Sequence, residues 1–144
     1  MKRSKFNTAQ NKKDKPIIDG IIFDSDHEAK YYTMLKSYVA MGRCKSFKVH
    51  PKYTLIAPFE KYGKKHRGMI YIADFEIIFK DGMIKVVDIK GFATEAAKIK
   101  RKLFDAKYPL LYLQWISYVN KHGGFIDYDK LQVIRRRERN ERKN

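Results

Sequence analysis

Two apolar segments joined by a single turn most constrain the fold of this chain. Residues 69–79, MIYIADFEIIF, and residues 83–90, MIKVVDIK, are rich in β-branched and aromatic residues, and Lys80-Asp81-Gly82 separates them. Asp-Gly between two such segments is a strong hairpin signal, so we predict two antiparallel strands. Asp74 and Asp88 are equally distant from Asp81 in the sequence. A hairpin centred there makes the two aspartates cross-strand neighbours.

The remaining patterns predict helices on either side of these strands. Ser25 followed by Glu28 is a capping-box arrangement, which predicts that a helix starts here. Gly42 is the predicted end of this helix. Thr94 caps a second helix, which Pro109 ends. The other predicted elements are a short hairpin or extended entry at 17–25, an extended segment at 44–56 in which Pro51 indicates an edge position or an interruption, a polar loop at 60–68, a strand at 110–119 and a final helix within 127–143. The predicted order is helix, three strands, helix, strand, helix, which defines an α/β or α+β fold with helices around a central mixed sheet.

The length and the cysteine content predict one domain in a reducing compartment. A chain of 144 residues has the size of a single domain, and we assign it to residues 17–134. Residues 1–16 are predicted to be a flexible basic arm and residues 135–144 a basic helical extension or tail. Cys44 has no partner for an internal disulfide, and no apolar segment is long enough to cross a membrane. We therefore expect a soluble, cytoplasmic protein.

The charge predicts an anionic polymer as the partner. The chain carries 32 basic and 16 acidic residues, a net charge of +16. Such an excess is typical of proteins that bind nucleic acid, although basic tails can also serve only as solvated ends. The candidate phosphate contacts lie in the 60–68 loop, on the second helix and in the C-terminal segment, namely Lys64, Lys65, Arg67, Lys98, Lys102, Arg135, Arg136 and Arg137.

The paired aspartates predict a metal centre. Two neighbouring carboxylates repel each other unless a cation neutralises them, and Mg²⁺ prefers oxygen ligands. Glu28 is placed to supply a third carboxylate if the first helix packs across the open end of the hairpin. Lys90 shares the strand face of Asp88, where an ammonium group can polarise a water molecule and neutralise a phosphate. His27, His50, His66 and His122 are scattered without metal-ligand spacing, so the sequence assigns them no chemistry.

Structural roles for the same residues remain open at this point. Glu28 can act as a capping residue alone. Asp88 and Lys90 can form a surface ion pair on an edge strand, which contributes little to stability. Glu76 shares a strand face with Asp74 and is a reserve ligand.

Three of these segments together resemble the PD-(D/E)XK nuclease superfamily. The matching pieces are FDSDHEAKYY, YIADFEI and VVDIKG, followed by the helix TEAAKIKRKLFDAKYP, within residues 19–118. They are most similar to small phage-encoded nucleases related to Holliday-junction resolvases and to transposon end-cleaving nucleases. Ala73 stands where the superfamily motif often has proline. The resemblance implies a restriction-endonuclease-like fold and a Mg²⁺-dependent site, with Mn²⁺ as a possible substitute, that is formed by Glu28, Asp74, Asp88 and Lys90.

The expected activity is hydrolysis of DNA phosphodiester bonds. The resemblance points to branched or recombination-intermediate DNA, to a homodimer and to the cytoplasm of a bacterial host. One alternative is a non-catalytic DNA-binding or assembly protein that keeps the fold. Another is a site-specific or transposition-type nuclease that requires a protein partner.

Overall fold

The computed structural model describes residues 14–144 of the chain. The predicted N-terminal arm, residues 1–16, lies almost wholly outside the described residues. The helices are α1 (Asp26–Ala40), α2 (Glu95–Lys107) and α3 (Tyr128–Glu141). The strands are β1 (Ile17–Ile18), β2 (Ile21–Ile22), β3 (Ser46–Val49), β4 (Lys52–Ile56), β5 (Phe59–Lys61), β6 (Lys64–His66), β7 (Met69–Ile72), β8 (Phe75–Ile78), β9 (Ile84–Ile89), β10 (Tyr112–Val119) and β11 (Gly124–Asp127). A 3₁₀ turn, Asn120–His122, precedes β11.

A five-stranded mixed sheet forms the centre of the fold, in the order β11, β10, β9, β8, β3. Strands β9 and β10 are parallel and are joined through α2, and the other neighbours are antiparallel. The predicted β8–β9 hairpin is confirmed, with Phe75 opposite Val87 and Ile78 opposite Ile84. Asp74 and Asp88 are the next residues beyond the Phe75–Val87 pair, so they lie opposite each other as the sequence predicts. The α+β class is therefore confirmed.

Helices cover both faces of this sheet. On one face, Tyr31 and Leu35 of α1 belong to a buried cluster with Phe75 and Val87 of the sheet. On the other face, α2 and α3 pack against β10, where Phe104 and Trp115 are buried. Successive side chains of a strand alternate between faces, so Asp88, next to Val87, belongs to the α2 face.

Two strands bend at the same level and leave the central sheet. The segment 69–79, predicted as one strand, is divided at Ala73-Asp74: β8 stays in the central sheet, whereas β7 pairs with β4 in a separate two-stranded sheet. The segment 44–56 is divided at His50-Pro51, where the interruption was predicted. The amide of His50 donates to the carbonyl of Asp74 at 2.9 Å, and the amide of Ala73 donates to that of Pro51 at 3.1 Å. These two hydrogen bonds tie the two bends into one double corner.

Two sequence predictions are wrong in this region. The polar segment 60–68 is not a loop: most of its residues belong to a hairpin that β5 and β6 form. Tyr62 and Gly63 turn it with φ values of 50° and 74°, the left-handed conformation that twisted two-residue hairpins require. The predicted element order also fails, because residues 14–144 contain seven strands between α1 and α2 and an extra strand before α3. The hairpin before α1 agrees with one of the two readings of residues 17–25 and consists of β1 and β2. The number of strands is larger than predicted because each bend divides one strand into two and the β5–β6 hairpin adds two more.

The helix starts follow the predicted capping residues. The hydroxyl of Ser25 accepts the amide of Glu28 at 3.1 Å, and that of Thr94 accepts the amide of Ala97 at 3.1 Å. Helix α3 continues to Glu141 without a break at the predicted domain boundary, residue 134. Among the described residues, no helix combines the length and the apolar character needed to cross a membrane.

Candidate active site

The four predicted site residues come from three elements that meet at the open end of the β8–β9 hairpin. Asp74 lies in the double corner, Asp88 near the end of β9, and Lys90 directly after it. Glu28 lies in the first turn of α1. The negative charges of Asp88 and Glu28 both act on Asp74, so the three carboxylates are close enough to influence one another. The structure therefore brings all four predicted residues to one end of the sheet.

Asp88 is the most firmly fixed member of the site. Its side chain is buried on the central strand β9, and its Oδ2 accepts the hydroxyl of Tyr71 at 2.6 Å. The indole N–H of Trp115 donates to the same hydroxyl at 2.9 Å. Lys90 Nζ lies 2.8 Å from Asp88 Oδ2. The alternative of a surface pair on an edge strand is wrong, because β9 lies between β8 and β10.

Asp74 and Glu28 are held by backbone amides. Asp74 Oδ2 accepts the amide of Ile89 at 2.7 Å, and Glu28 Oε2 accepts the amide of Asp24 at 3.1 Å. Burial raises the pKa of Asp74, and the neighbouring charge of Asp88 raises it further. Burial also raises the pKa of Glu28, although the amide of Asp24 opposes this shift. Ionisation of either carboxyl group is therefore unfavourable in free energy, and a bound cation would make it more favourable.

The hydrogen bonds that orient the three carboxylates each engage one oxygen of the group. They involve Glu28 Oε2, Asp74 Oδ2 and Asp88 Oδ2. The bound oxygens fix the orientation of each group, and the remaining oxygens are ligand atoms of the kind that Mg²⁺ and Mn²⁺ prefer. The donor chemistry of the site thus fits a divalent cation. Glu28 serves both as part of the helix start and as a member of the site.

His50 is the site residue that the sequence missed. One ring nitrogen of His50 and one carboxylate oxygen each of Glu28 and Asp74 all lie within 4.8 Å of one another. The double corner causes this proximity, since it joins the His50 backbone to that of Asp74. The available signal in the sequence was the break in the strand pattern at His50-Pro51. Glu76, the reserve ligand, is instead engaged by Tyr53 and Lys48.

A groove of about 370 Å³ leads to Asp88 and Lys90. Ile70 and Ile72 of β7 form one wall, and the first turns of α2 form the other, including Lys100. Lys98 and Lys102, the lysines predicted to bind DNA on this helix, do not line this groove. Lys100 is therefore the α2 lysine closest to the candidate chemistry.

The other predicted DNA contacts lie outside this groove. Lys98 and Arg135 line a second groove, about 420 Å³, between α2 and α3. Lys102 lies in a shallow depression beside Arg101 and Trp115. Arg136 and Arg137 are exposed on α3, and Lys64, Lys65 and Arg67 are exposed on or beside β6. The predicted basic residues thus form several separate surfaces.

The hydroxyl of Tyr71 links Trp115 to Asp88, so its removal should weaken the site. We expect Tyr71→Phe to lower the free energy of unfolding by about 1–2 kcal/mol, because the buried indole N–H loses its acceptor and Asp88 loses a donor. Chemical denaturation measures this loss. Tyr112→Phe, which changes an exposed tyrosine of β10, is the matched control and should be neutral. Equal stability of the two variants would contradict the proposed role of the hydroxyl.

The fold and the site define an α+β protein with a cluster of carboxylates, a histidine and a lysine at one end of a mixed sheet, in which Glu28 and Asp88 are buried and the other members are half-buried. The chain belongs to the family described as "Protein of unknown function (DUF1064)", whose model matches residues 3–124. The matched range contains every member of the cluster and ends before α3. No curated protein matches the chain.

Proposed function

We propose that this protein is a metal-dependent DNA endonuclease of the PD-(D/E)XK type. The observation that carries the proposal is the convergence of Glu28, Asp74, Asp88 and Lys90 at the open end of one hairpin. Three crowded carboxylates are costly for stability, which favours a functional role over a purely structural one. The net charge of +16 favours a nucleic acid as the substrate.

The carboxylate cluster would hold the metal ion. Asp74, Asp88 and Glu28 would supply oxygen ligands, which suit both Mg²⁺ and Mn²⁺. When bound, such an ion stabilises the negative charge that develops on phosphorus-bound oxygens and lowers the pKa of a coordinated water.

Lys90 supplies the fixed positive charge of the site. Its side chain is 23% exposed, and Nζ lies 5.4 Å from the centre of the Trp115 ring. The amide of Lys90 donates to the carbonyl of Ile116, and the hydroxyl of Ser117 donates to the carbonyl of Lys90. Strand β10 thus fixes the backbone, and Asp88 orients the ammonium group. In this position the ammonium can bind the scissile phosphate or orient the attacking water.

The proposed reaction adds water across the P–O3′ bond. The water oxygen bonds to phosphorus and releases a proton to solvent, the bond to the 3′-oxygen breaks, and that oxygen takes a proton from solvent. Ile70 and Ile72 give one wall of the groove an apolar surface, and Lys100 on the other wall can contact a neighbouring phosphate. Branched DNA is the proposed substrate, and a homodimer would cut two symmetric strands.

A panel of labelled DNAs tests the proposal directly. A four-way junction, a flap, a linear duplex and a single strand are incubated with Mg²⁺, Mn²⁺ or EDTA, with Asp88→Ala as the inactive control. The proposal requires metal-dependent cutting that the control abolishes, and preference for the junction supports the branched substrate. Binding of every DNA without cutting, with either ion, favours a non-catalytic or partner-dependent protein.

The β5–β6 hairpin is the proposed DNA-binding arm. Every residue from Ala57 to Lys65 is exposed, Tyr62 at the tip is 97% exposed, and the ring of Phe59 stacks on His66 with centroids 4.5 Å apart. Such a hairpin contributes little to a core, since two strands alone are marginally stable. An exposed arm that is rich in lysine is instead suited to contact DNA phosphates.

Neutralising this arm should weaken DNA binding without changing sequence preference. We expect Lys64→Gln/Lys65→Gln/Arg67→Gln to reduce affinity for all duplexes and to lower the slope of log K against log [salt] by about two to three, because each lost phosphate contact removes about one released counterion. Fluorescence anisotropy at several salt concentrations measures both quantities. The matched control, Arg43→Gln/Lys45→Gln/Lys80→Gln, removes the same charge at the turn end of the β8–β9 hairpin. If both triple variants lose the same slope, the arm has no specific role.

A further inference from the structure

The backbone fixes His50 beside the carboxylates, while the nitrogens of its ring have no polar partner among the described residues. The residue adopts φ 53°, a left-handed conformation that few residues other than glycine adopt, and its amide is bonded to the Asp74 carbonyl at 2.9 Å. Neither ring nitrogen forms a hydrogen bond or an ion pair with a residue in 14–144. The Phe23 ring is 6.0 Å away, centroid to centroid. Phe23 therefore packs against the ring, but no polar contact within residues 14–144 engages the ring nitrogens.

The spacing of the three groups suits a shared ion better than direct contact. A ring nitrogen of His50 and oxygens of Glu28 and Asp74 lie within 4.8 Å of one another, yet His50 forms no ion pair with either carboxylate. Ligands of one ion with bonds of about 2.1 Å are about 3 Å apart when adjacent and about 4.2 Å apart when opposite. A small inward movement of the side chains therefore allows all three atoms to bind one cation.

A nitrogen ligand changes which cation such a site prefers. Mg²⁺ takes oxygen ligands and gives up its water reluctantly, so an imidazole adds little to its binding. First-row transition dications bind imidazole readily, and their affinities for mixed nitrogen and oxygen sites rise from Mn²⁺ onwards. An all-carboxylate centre and a centre that includes His50 should therefore differ in metal preference.

We propose that His50 is a ligand of the metal centre, together with Asp74 and Glu28, and that it makes the centre select a transition dication such as Mn²⁺ over Mg²⁺. This inference rests on the proposed metal centre but not on cleavage. It assigns a role to a residue that lies outside the PD-(D/E)XK pattern quoted above.

Metal binding without DNA tests the proposal. Mn²⁺ is titrated into the full chain while the free-ion signal is followed by electron paramagnetic resonance, and Mg²⁺ is titrated calorimetrically. The variant is His50→Asn, because asparagine also adopts left-handed φ values and leaves the backbone in place. We expect its Mn²⁺ dissociation constant to rise at least about tenfold. The Mg²⁺ constant should change by less than about threefold. His66→Asn, which alters the histidine of the arm, should change neither.

Pulsed electron paramagnetic resonance provides a readout that does not depend on any variant. Bound Mn²⁺ in the unsubstituted protein should show coupling to an imidazole ¹⁴N nucleus, and His50→Asn should abolish it. Absence of this coupling, absence of Mn²⁺ binding, or equal losses for both ions in His50→Asn would overturn the proposal. Coupling without cleavage of any DNA would leave His50 as a ligand and refute a nuclease that acts without a partner. Metal-dependent cleavage without ¹⁴N coupling would support the nuclease and exclude His50 as a ligand.

Discussion

Replacing Asp74 with asparagine should reduce metal-dependent DNA cleavage by about 10³-fold while leaving DNA affinity within about threefold. The substitution keeps the shape of the side chain, and its Oδ1 can still accept the amide of Ile89. The negative charge that holds a cation is lost, so the loss should appear in turnover and not in substrate binding. Single-turnover cleavage and fluorescence anisotropy measure the two effects. Asp81→Asn, at the exposed hairpin turn, is the matched control and should cleave normally.

The same variant should be more stable than the unsubstituted protein in the absence of metal. Burial and the charge of Asp88 raise the pKa of Asp74, so the ionised carboxyl destabilises the folded state. A carboxyl whose folded pKa is raised loses stability as pH increases from its unfolded pKa, about 3.9, towards its folded pKa. The melting temperature of Asp74→Asn should therefore exceed that of the parent at neutral pH, and the difference should shrink at pH 4. A variant that loses cleavage and also melts lower at neutral pH would contradict this account.

Replacing Lys90 with methionine should reduce cleavage by about 10²-fold or more, because the fixed positive charge near the phosphate is lost. It should also destabilise the fold by about 1–3 kcal/mol. The reason is that Asp88, with a side chain only 6% exposed, loses the ammonium group at 2.8 Å. Cleavage rates and chemical denaturation measure the two losses. Lys98→Met, which breaks an exposed pair with Glu95 on α2, is the matched control and should change stability little.

A double variant separates the two roles of Lys90. In Asp88→Asn/Lys90→Met both charges are absent, so the folded state should recover most of the stability that Lys90→Met loses. Cleavage should remain absent, since neither residue can act. Normal cleavage by Lys90→Met would remove this residue from the proposed mechanism. Recovery of cleavage in the double variant would show that Lys90 serves only to neutralise Asp88.

The hairpin and the helix starts could be predicted because their signals are local. Asp81-Gly82 fixes the position of the turn. Asp74 and Asp88 are equally distant from Asp81 in the sequence, so they lie opposite each other on the two strands. Ser25 and Thr94 act on amides only three positions away. Convergence of Glu28 with the aspartates needed the resemblance as well, since nothing in the periodicity of α1 shows where that helix docks.

His50 and Lys100 could not be predicted because their roles depend on long-range packing. The two bends that bring His50 to Asp74 are joined by backbone hydrogen bonds between segments about 24 residues apart. Lys100 shares the helical stripe of Ala97 and the buried Phe104, so it faces the groove only because of how α2 docks on the sheet. The sequence showed a cluster of lysines on α2 but not which of them borders the site.

The double corner separates the part of the chain that holds the candidate metal ligands from the part that projects towards a substrate. The segment between the two bends passes through β4, the β5–β6 arm and β7, and then returns to the same corner. Because backbone atoms close the corner, changes of sequence or length in the arm need not alter the distance between His50 and Asp74. The arm is thus attached to a fixed base, so that changes in the arm can alter the proposed substrate contacts without moving the proposed metal ligands.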